Sequence, residues 1–244
     1  MEPLDGKVAI ITGASRGIGR STAQRLAADG ASVVVGYGSS RAGAEDTVAS
    51  ITEQGGQAFA VQADMASRDA VDRLFEAASR EFSGFDILIN NAGALVMGPV
   101  ADAADADLER IFDINTFGPF RALRHAARFI REGGRIVNIS TAVTGHAGAN
   151  LSIYSASKGA LEEFTKILAH ELAARLVTVN SVCPGPTDTD MMVEEYREMA
   201  AAMSPFGRLG QPEDVADVIS LLVSERARWL TGQTIQASGG MVMS

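Results

Sequence analysis

The stretch that decides the fold is Val8–Gly19, which reads VAIITGASRGIG. Its first four residues are apolar without alternation, as in a strand that is buried on both faces. The glycines after them, spaced G-x-x-x-G-x-G, allow a tight turn and a close approach of the backbone to a phosphate. Ile18, Ala23 and Leu26 lie at helical spacing and predict a helix whose positive N-terminal end faces that phosphate. The stretch therefore predicts a strand–loop–helix unit that binds a pyrophosphate.

Short β-branched runs alternate with longer helical patterns along the rest of the chain. This alternation predicts right-handed crossovers and a parallel sheet with helices on both faces, in a single α/β domain over residues 1–244. We expect strands at Val8–Ile11, Ser32–Val35, Ala58–Gln62, Asp86–Ile89, Arg135–Ile139, Val177–Val182 and Thr234–Ala237. We expect helices at Gly17–Asp29, Ala42–Gln54, Arg68–Phe82, Ala103–Ile111, Thr116–Ile130, Tyr154 to about Ala174, Asp188–Ala202 and Pro212–Val223.

The composition excludes several classes of protein. The 244 residues are 46% apolar and carry a net charge of −9, which argues against a nucleic-acid or anionic-membrane partner. The N-terminus shows no leader pattern and no apolar run is long enough to span a membrane, so we expect a soluble, cytoplasmic protein. The one cysteine, Cys183, excludes an internal disulfide, and the three histidines lack metal-ligand spacing, so we predict no metal site.

Ligands of a doubly wound sheet bind beyond the carboxyl ends of its strands, so the loop after each strand is a candidate binding segment. The second strand leads into Tyr37, Ser39, Ser40 and Arg41, without the acidic residue that binds the ribose 2′-hydroxyl of NAD. Hydroxyl donors and cations suit a 2′-phosphate, which favours NADP and leaves NAD as the alternative. Arg41 is equally well explained as a solvated helix-start residue, and Arg16 of the first loop is the better candidate.

Three further loops carry candidate binding residues. Asp64, directly before Met65, could accept a hydrogen bond from an adenine amino group or could be the N-cap of the next helix. The segment Asn90–Gly93 offers amides and small residues that leave room for a flat ring. The segment Pro184–Thr189 contains two prolines and a glycine, which predict a rigid bend under that ring.

Tyr154 and Lys158 are four residues apart in SIYSASKGAL, so on a helix both side chains share one face. An ammonium beside a phenol favours the phenolate and lowers the tyrosine pKa toward the working pH. Taken alone, the pair is better explained as part of an ordinary amphipathic surface than as a catalytic pair. The other loops at this edge of the sheet favour a proton-transfer pair.

These motifs resemble the short-chain dehydrogenase/reductase family in its Tyr-x-x-x-Lys form, along essentially the whole chain. The resemblance rests on Thr12–Gly19, Asp64, Asn90–Gly93, Asn115, Tyr154–Lys158 and Pro184–Thr189, which occur in the family's order. It implies a Rossmann-type sheet of about seven strands in the order 3-2-1-4-5-6-7, and it is closest to 3-oxoacyl-carrier-protein reductases. The activity implied is hydride transfer between NADP(H) and a carbonyl or secondary alcohol, most simply ketone or 3-oxoacyl reduction.

The resemblance also implies roles for individual residues. Tyr154 would protonate the carbonyl oxygen, Lys158 would lower the pKa of Tyr154 and bind the nicotinamide ribose, and Asn115 would hold a water. The cofactor would contact Gly13, Ser15, Arg16, Gly17, Ile18, Gly19, Tyr37, Ser39, Ser40, Asp64, Met65, Asn91, Ala92, Gly93, Tyr154, Lys158, Pro184, Gly185, Thr187 and Thr189.

One position departs from the family. Its carbonyl-polarising serine normally lies thirteen residues before the tyrosine, and that position here is Thr141. Ser140 is one residue earlier and should point to the opposite face of an extended segment. Threonine has the same donor and acceptor hydroxyl, so we predict that Thr141 takes the role.

The sequence says less about the residues that line the substrate pocket than about those that bind the cofactor. The segment from about residue 188 to 206 comes after the Pro-Gly bend and is predicted to form a lid. Its four methionines could form an adaptable apolar wall for the substrate or could belong to the core. The rest of the pocket is expected at Leu95, Val96, His146 and Leu151, which suits an apolar or medium-sized carbonyl.

Alternatives to the leading hypothesis remain open at this stage. Within enzymes the alternative is an NAD-dependent alcohol dehydrogenase. Outside enzymes it is a catalytically silent nucleotide-binding protein, which Thr141 favours and which Tyr154, Lys158 and Asn115 oppose. The family also implies a homotetramer in which the helices of Asn115 and Tyr154 pack between subunits.

Overall fold

The computed structural model describes residues 4–243, and a parallel sheet runs through that part of the chain. Its strands are β1 (Val8–Ile11), β2 (Ser32–Tyr37), β3 (Ala58–Gln62), β4 (Ile87–Asn90), β5 (Arg135–Ile139), β6 (Thr178–Pro184) and β7 (Thr234–Ala237). Their order is β3-β2-β1-β4-β5-β6-β7, so the predicted fold class is confirmed. Residues 1–3 and 244 of the predicted domain lie outside the described residues.

Helices connect successive strands. They are α1 (Gly17–Ala28), α2 (Arg41–Glu53), α3 (Ala70–Phe82), α4 (Asp105–Phe112), α5 (Gly118–Phe129), α6 (Val143–His146), α7 (Ser152–Glu171), α8 (Arg197–Ala202) and α9 (Pro212–Val223). A π-helical turn, Asp113–Phe117, joins α4 to α5. None of the helices in residues 4–243 is both long and apolar enough to cross a membrane.

The sheet order reverses at β1, and this reversal places the site. β1 pairs in parallel with β2 on one side and with β4 on the other. The chain leaves the carboxyl ends of β1 and β4 toward opposite faces of the sheet, so a crevice opens between them.

The two faces of the sheet are covered by separate hydrophobic cores. Ala9 and Ile11 of β1 belong to the core under α1, α2 and α9. Val8 and Ile10 belong to the core under α3, α5 and α7. Each fully buried isoleucine or leucine contributes about 1.5–3 kcal/mol relative to an exposed one. An uninterrupted apolar strand such as β1 is thus explained by burial on both faces.

The predicted helix Asp188–Ala202 is wrong in its first part. Thr187 forms a bridge with Gly210, and the Asp188 amide donates to the Gly210 carbonyl at 2.8 Å. This pairing holds residues 187 and 188 beside Gly210, and a turn closed by the Met192 amide and the Thr189 carbonyl at 2.9 Å succeeds it, so a 3₁₀ turn and α8 form only after residue 193. The short helix α6 and the π-helical turn were not predicted.

The substitution Gly19→Ala tests the tight packing of the first loop. A Cβ at residue 19 would collide with the Gly13 carbonyl oxygen and with Asn91 Nδ2. We expect a net loss of stability, because overpacking costs about 1–3 kcal/mol and the helix-propensity gain is only about 1 kcal/mol. Urea unfolding measures the change.

The matched control is Gly159→Ala on α7, where an added Cβ meets no atom within 4 Å. The free energy of unfolding of this variant should rise by about 0.5–1 kcal/mol, because alanine favours the helix and its side chain displaces nothing. Equal stabilisation by both substitutions would show that the loop has room for a side chain.

Candidate active site

A cavity of about 660 Å³ opens at the carboxyl edge of the sheet. Its walls come from the segments after β1 to β6, from α7 and from residues 189–203. The predicted site residues that line it are Gly13, Ser15, Arg16, Gly17, Ile18, Gly19, Ser39, Ser40, Asp64, Met65, Asn91, Ala92, Gly93, Thr141, Tyr154, Lys158, Pro184, Gly185, Thr187 and Thr189. Segments far apart in sequence thus meet at one edge, as expected.

The glycine-rich loop is fixed from the segment after β4. Asn91 Nδ2 donates to the carbonyls of Thr12 and Gly13 at 2.9 and 3.0 Å. Thr12 Oγ1 accepts in return from the backbone amides of Asn91 and Ala92, both at 3.0 Å. The loop is therefore held open toward the cavity, with the N-terminus of α1 behind it. A helix N-terminus in this position suits a pyrophosphate.

Tyr37 does not line the cavity, in contrast to the prediction. β2 continues to Tyr37 instead of ending at Val35, and residues 33, 35 and 37 all point into the same core. The side-chain alternation of a strand explains this direction. Gly38 takes the place at the cavity wall that was expected for the tyrosine.

No acidic residue directly succeeds β2 in the cavity wall, where Gly38, Ser39 and Ser40 are found. Arg41 pairs with Glu45 on the outside of α2 at 3.2 Å. Arg16 lines the cavity and forms an exposed ion pair of 3.4 Å with Asp190.

Asp64 borders the cavity from an exposed position after β3. Its Oδ1 accepts from the backbone amide of Ala66 at 3.0 Å. The next helix, α3, begins only at Ala70 and has Asp69 at its N-cap. The alternative interpretation of Asp64 as that N-cap is therefore excluded.

Thr141 and Tyr154 lie together at the cavity wall. Burial raises the pKa of Tyr154, the Thr141 hydroxyl lowers it, and the neighbouring Cys183 raises it. Ser140 also borders the cavity, but its hydroxyl donates to Glu162 Oε1 at 2.5 Å. The two neighbouring hydroxyls therefore point in different directions, as the extended backbone predicts.

Lys158 lies one turn after Tyr154 on α7 and is buried. Its Nζ donates to the Ile139 carbonyl at 2.7 Å, and burial lowers its pKa to about 8. We expected this ammonium to lower the pKa of Tyr154, but burial of the phenol dominates and the net shift is upward. The lysine lies at the floor of the cavity beside Gly93, where an added Cβ would be 3.2 Å from Nζ.

Asn115 is fully buried in the π-helical turn and does not line the cavity. Its Oδ1 accepts from the Ala94 amide at 2.8 Å, and its Nδ2 donates to the Ala94 carbonyl at 2.9 Å. Nδ2 is also 3.0 Å from Ser157 Oγ. Asn115 thus joins the segment after β4 to α7.

The segment after β6 packs against the end of β7. A Cβ at Gly185 would lie 2.9 Å from the Ser238 backbone, so this close approach requires glycine. Cys183 is fully buried beneath the bend, and burial together with Glu162 raises its pKa to about 12. The thiol is neutral at ordinary pH, in agreement with its interpretation as a small buried side chain.

The side of the cavity nearest α8 is apolar and rich in methionine. All four methionines of the predicted lid line it, together with Leu95 and Leu151, whereas Val96 and His146 do not. Cavity residues that the sequence analysis missed include Met97, Arg110, Ile114, Tyr196 and Met241. Arg110 and Ile114 could have been found from their four-residue spacing beside Asn115; Met241 comes from the far end of the chain, where no local signal marks it.

A family model described as "Enoyl-(Acyl carrier protein) reductase" matches residues 13–242. An uncharacterized oxidoreductase of Methylorubrum extorquens is 43% identical over 247 residues, covering 99% of this chain and 100% of that protein. Versicolorin reductase of Emericella nidulans is 41% identical over 253 residues, with 97% of this chain and 96% of that protein covered.

Solved structures show the same similarity. The angucycline C-6 ketoreductase LanV with bound NADP has a TM-score of 0.95 at 39% identity, covering 99% of this chain and 97% of that one. The reductase LugOII, which catalyses keto-reduction at C1 in lugdunomycin biosynthesis, has a TM-score of 0.94 at 41% identity. The match covers 98% of this chain and 99% of that one.

Proposed function

The chain belongs to the short-chain dehydrogenase/reductase family, and we propose that it reduces a ketone to a secondary alcohol with NADPH. The observation that carries this proposal is the position of Tyr154 beside Thr141 at the cavity wall, where the Thr141 hydroxyl lowers the pKa of the phenol, one turn from the buried Lys158. Two hydroxyls side by side can both donate to one carbonyl oxygen. Carbonyl reduction places its proton on oxygen, whereas enoyl reduction places it on carbon. This pair of hydroxyls therefore suits carbonyl reduction better.

Tyr154 is the proposed proton donor and Thr141 the proposed polarising group. Bound NADPH would supply the hydride to the carbonyl carbon. As negative charge develops on the carbonyl oxygen, Tyr154 transfers its phenolic proton to it and the Thr141 hydroxyl donates a second hydrogen bond. The resulting phenolate lies one helical turn from the ammonium of Lys158, whose positive charge favours the ionised form.

Lys158 and Asn115 support this step in the proposal. The buried ammonium of Lys158 lies at the cavity wall, where it can bind a ribose hydroxyl and stabilise a nearby phenolate. Asn115 fixes Ala94 and Ser157, so it orients the segment after β4 relative to α7. Its proposed water would lie beside Lys158, close to Gly93.

NADP is the proposed cofactor rather than NAD. The part of the cavity wall that comes from the loop after β2 contains a glycine and two serine hydroxyls but no carboxylate. Arg16 lines the same cavity. A 2′-phosphate suits such a neutral-to-cationic wall, whereas a 2′-hydroxyl lacks its usual acidic partner. LanV contains bound NADP, and a blue fluorescent protein from a metagenomic library, 37% identical to this chain, is in complex with NADPH.

The proposed substrate is an apolar polycyclic aromatic ketone. Methionine thioethers adapt their shape and make favourable contacts with aromatic rings. The similar proteins are named for versicolorin, angucycline and hydroxynaphthalene reduction. The methionines of the cavity wall are Met65, Met97, Met191, Met192, Met199, Met203 and Met241.

We propose that residues 188–206 form a lid within the single domain. This segment contributes Met191, Val193, Tyr196 and Met203 to the cavity wall and is anchored at Asp188 by Gly210. The other end is held as well, since Ser204 Oγ donates to the Gly239 carbonyl at 2.8 Å, so the apolar residues between the two anchors would close over a ring system.

A homotetramer and a cytoplasmic location complete the proposal. Exposed aromatic and aliphatic side chains on α5, α7 and the π-helical turn would be covered by helix packing between subunits. The free, buried thiol of Cys183 suits a reducing compartment. The exposed side chains are Phe117, Phe120, Phe129 and Ile167.

Replacing Thr141 tests the polarising role. Thr141→Val keeps the shape and removes the hydroxyl, so kcat should fall about 100-fold while the Kd for NADPH stays unchanged. Thr141→Ser keeps the hydroxyl, so its kcat should stay within about fivefold of that of the parent enzyme. NADPH oxidation in a screen of polycyclic aromatic ketones measures both. Full activity of Thr141→Val would remove this residue from the mechanism, and an inactive parent enzyme that still binds NADPH would favour the silent binding protein.

Arg16→Ala tests cofactor selection. Loss of a charge-assisted contact to the 2′-phosphate should raise the Kd for NADPH about tenfold to 100-fold and leave the Kd for NADH nearly unchanged. Arg41→Ala is the matched control and should change neither affinity by more than about twofold, because its partner is Glu45. Fluorescence titration of the parent protein and both variants with NADPH and with NADH gives the six dissociation constants. Tighter binding of NADH than NADPH by the parent protein would reverse the choice of cofactor.

A further inference from the structure

Glu162 gathers three side-chain donors on one carboxylate oxygen. Its Oε1 accepts from Ser140 Oγ at 2.5 Å and from Thr144 Oγ1 at 2.7 Å. The thiol of Cys183 approaches the same oxygen at 3.5 Å. In residues 4–243 no lysine or arginine forms an ion pair with this half-buried carboxylate. The two hydroxyls and the thiol are therefore its direct donors, and such charge-assisted hydrogen bonds are stronger than neutral ones.

The two hydroxyl donors flank Thr141. Ser140 is its neighbour toward β5, and Thr144 lies three residues after it. Thr144 Oγ1 also lies 2.8 Å from the Thr141 carbonyl oxygen, so its single proton is shared between that oxygen and Glu162. The Val143 amide donates to Thr141 Oγ1 at 3.3 Å. The short segment that carries Thr141 is thus attached to Glu162 at both ends.

Glu162 also shares a face of α7 with the proton-transfer pair. Residues 154, 158 and 162 are spaced by four, so they succeed one another along one side of the helix. Ser140 Oγ is 3.5 Å from the Lys158 carbonyl oxygen, which adds a second contact between the segment and the helix. The contacts of Glu162 therefore set the position of Thr141 relative to Tyr154.

We propose that Glu162 is a positioning residue that aligns the Thr141 hydroxyl with Tyr154. This inference rests on the proposed function, because alignment matters only if the two hydroxyls act on one carbonyl oxygen. Glu162 does not line the cavity, so it acts through the segment it holds and not by touching the substrate. Misplacement of a reacting group by a fraction of an ångström is enough to slow a proton transfer.

Three variants test the proposal. Glu162→Leu removes the acceptor and should lower kcat roughly 10-fold to 100-fold, with the KM for NADPH changed less than about twofold. Glu162→Gln keeps one acceptor oxygen but not the charge, so its kcat should lie between those of Glu162→Leu and the parent enzyme. Glu163→Gln is the matched control, because the neighbouring carboxylate is exposed and pairs with Lys166, at 2.6 Å. Its kcat should be that of the parent enzyme.

A double-mutant cycle separates positioning from a general structural role. In the Thr141→Val background, Glu162→Gln should lower kcat no further, because the group it aligns is gone. Equal loss in both backgrounds, or a kcat within twofold of the parent enzyme for Glu162→Leu, would overturn the inference. An inactive parent enzyme would instead contradict the proposed function, so the two failures are distinguishable.

Discussion

The close contact between the ends of β1 and β4 is the constraint on which the rest of the structure depends. The loop after β1 leaves no room for a side chain at Gly19, and Asn91 binds the carbonyls of Thr12 and Gly13. This contact lies where the strand order reverses, so it keeps the crevice between the two halves of the sheet open. The backbone around it faces the cavity with the positive end of α1, which suits an anionic cofactor.

The reactive groups meet because a strand end and a helix are fixed to each other. Tyr154 and Lys158 come from α7, and Thr141 comes from the segment after β5. Lys158 Nζ binds the Ile139 carbonyl at 2.7 Å, and Glu162 binds hydroxyls on both sides of Thr141. Contacts along one face of the helix therefore hold a donor pair at the edge of an apolar cavity.

The sequence was sufficient to predict what depends on local pattern. The buried strands, the glycine loop and the direction of Thr141 are consequences of burial periodicity, turn chemistry and alternation along an extended segment, whereas the strand order was implied by the family resemblance. Tyr37 was misplaced because β2 runs two residues further than its apolar run. Glu162 and Met241 could not be found, because their importance depends on contacts between segments that only the folded chain brings together. The pKa direction of Tyr154 was also missed, since burial of a phenol cannot be read from its spacing to a lysine.

The most direct test of the central claim identifies the carbon atom that receives the hydride. An enone substrate is reduced with NADPH that carries deuterium at the transferable position, and the product is analysed by mass spectrometry and NMR. Carbonyl reduction with proton transfer to oxygen predicts deuterium on the carbinol carbon and an intact C=C bond. Deuterium on the carbon β to the carbonyl, with the ketone retained, would contradict the account and assign the site to enoyl reduction.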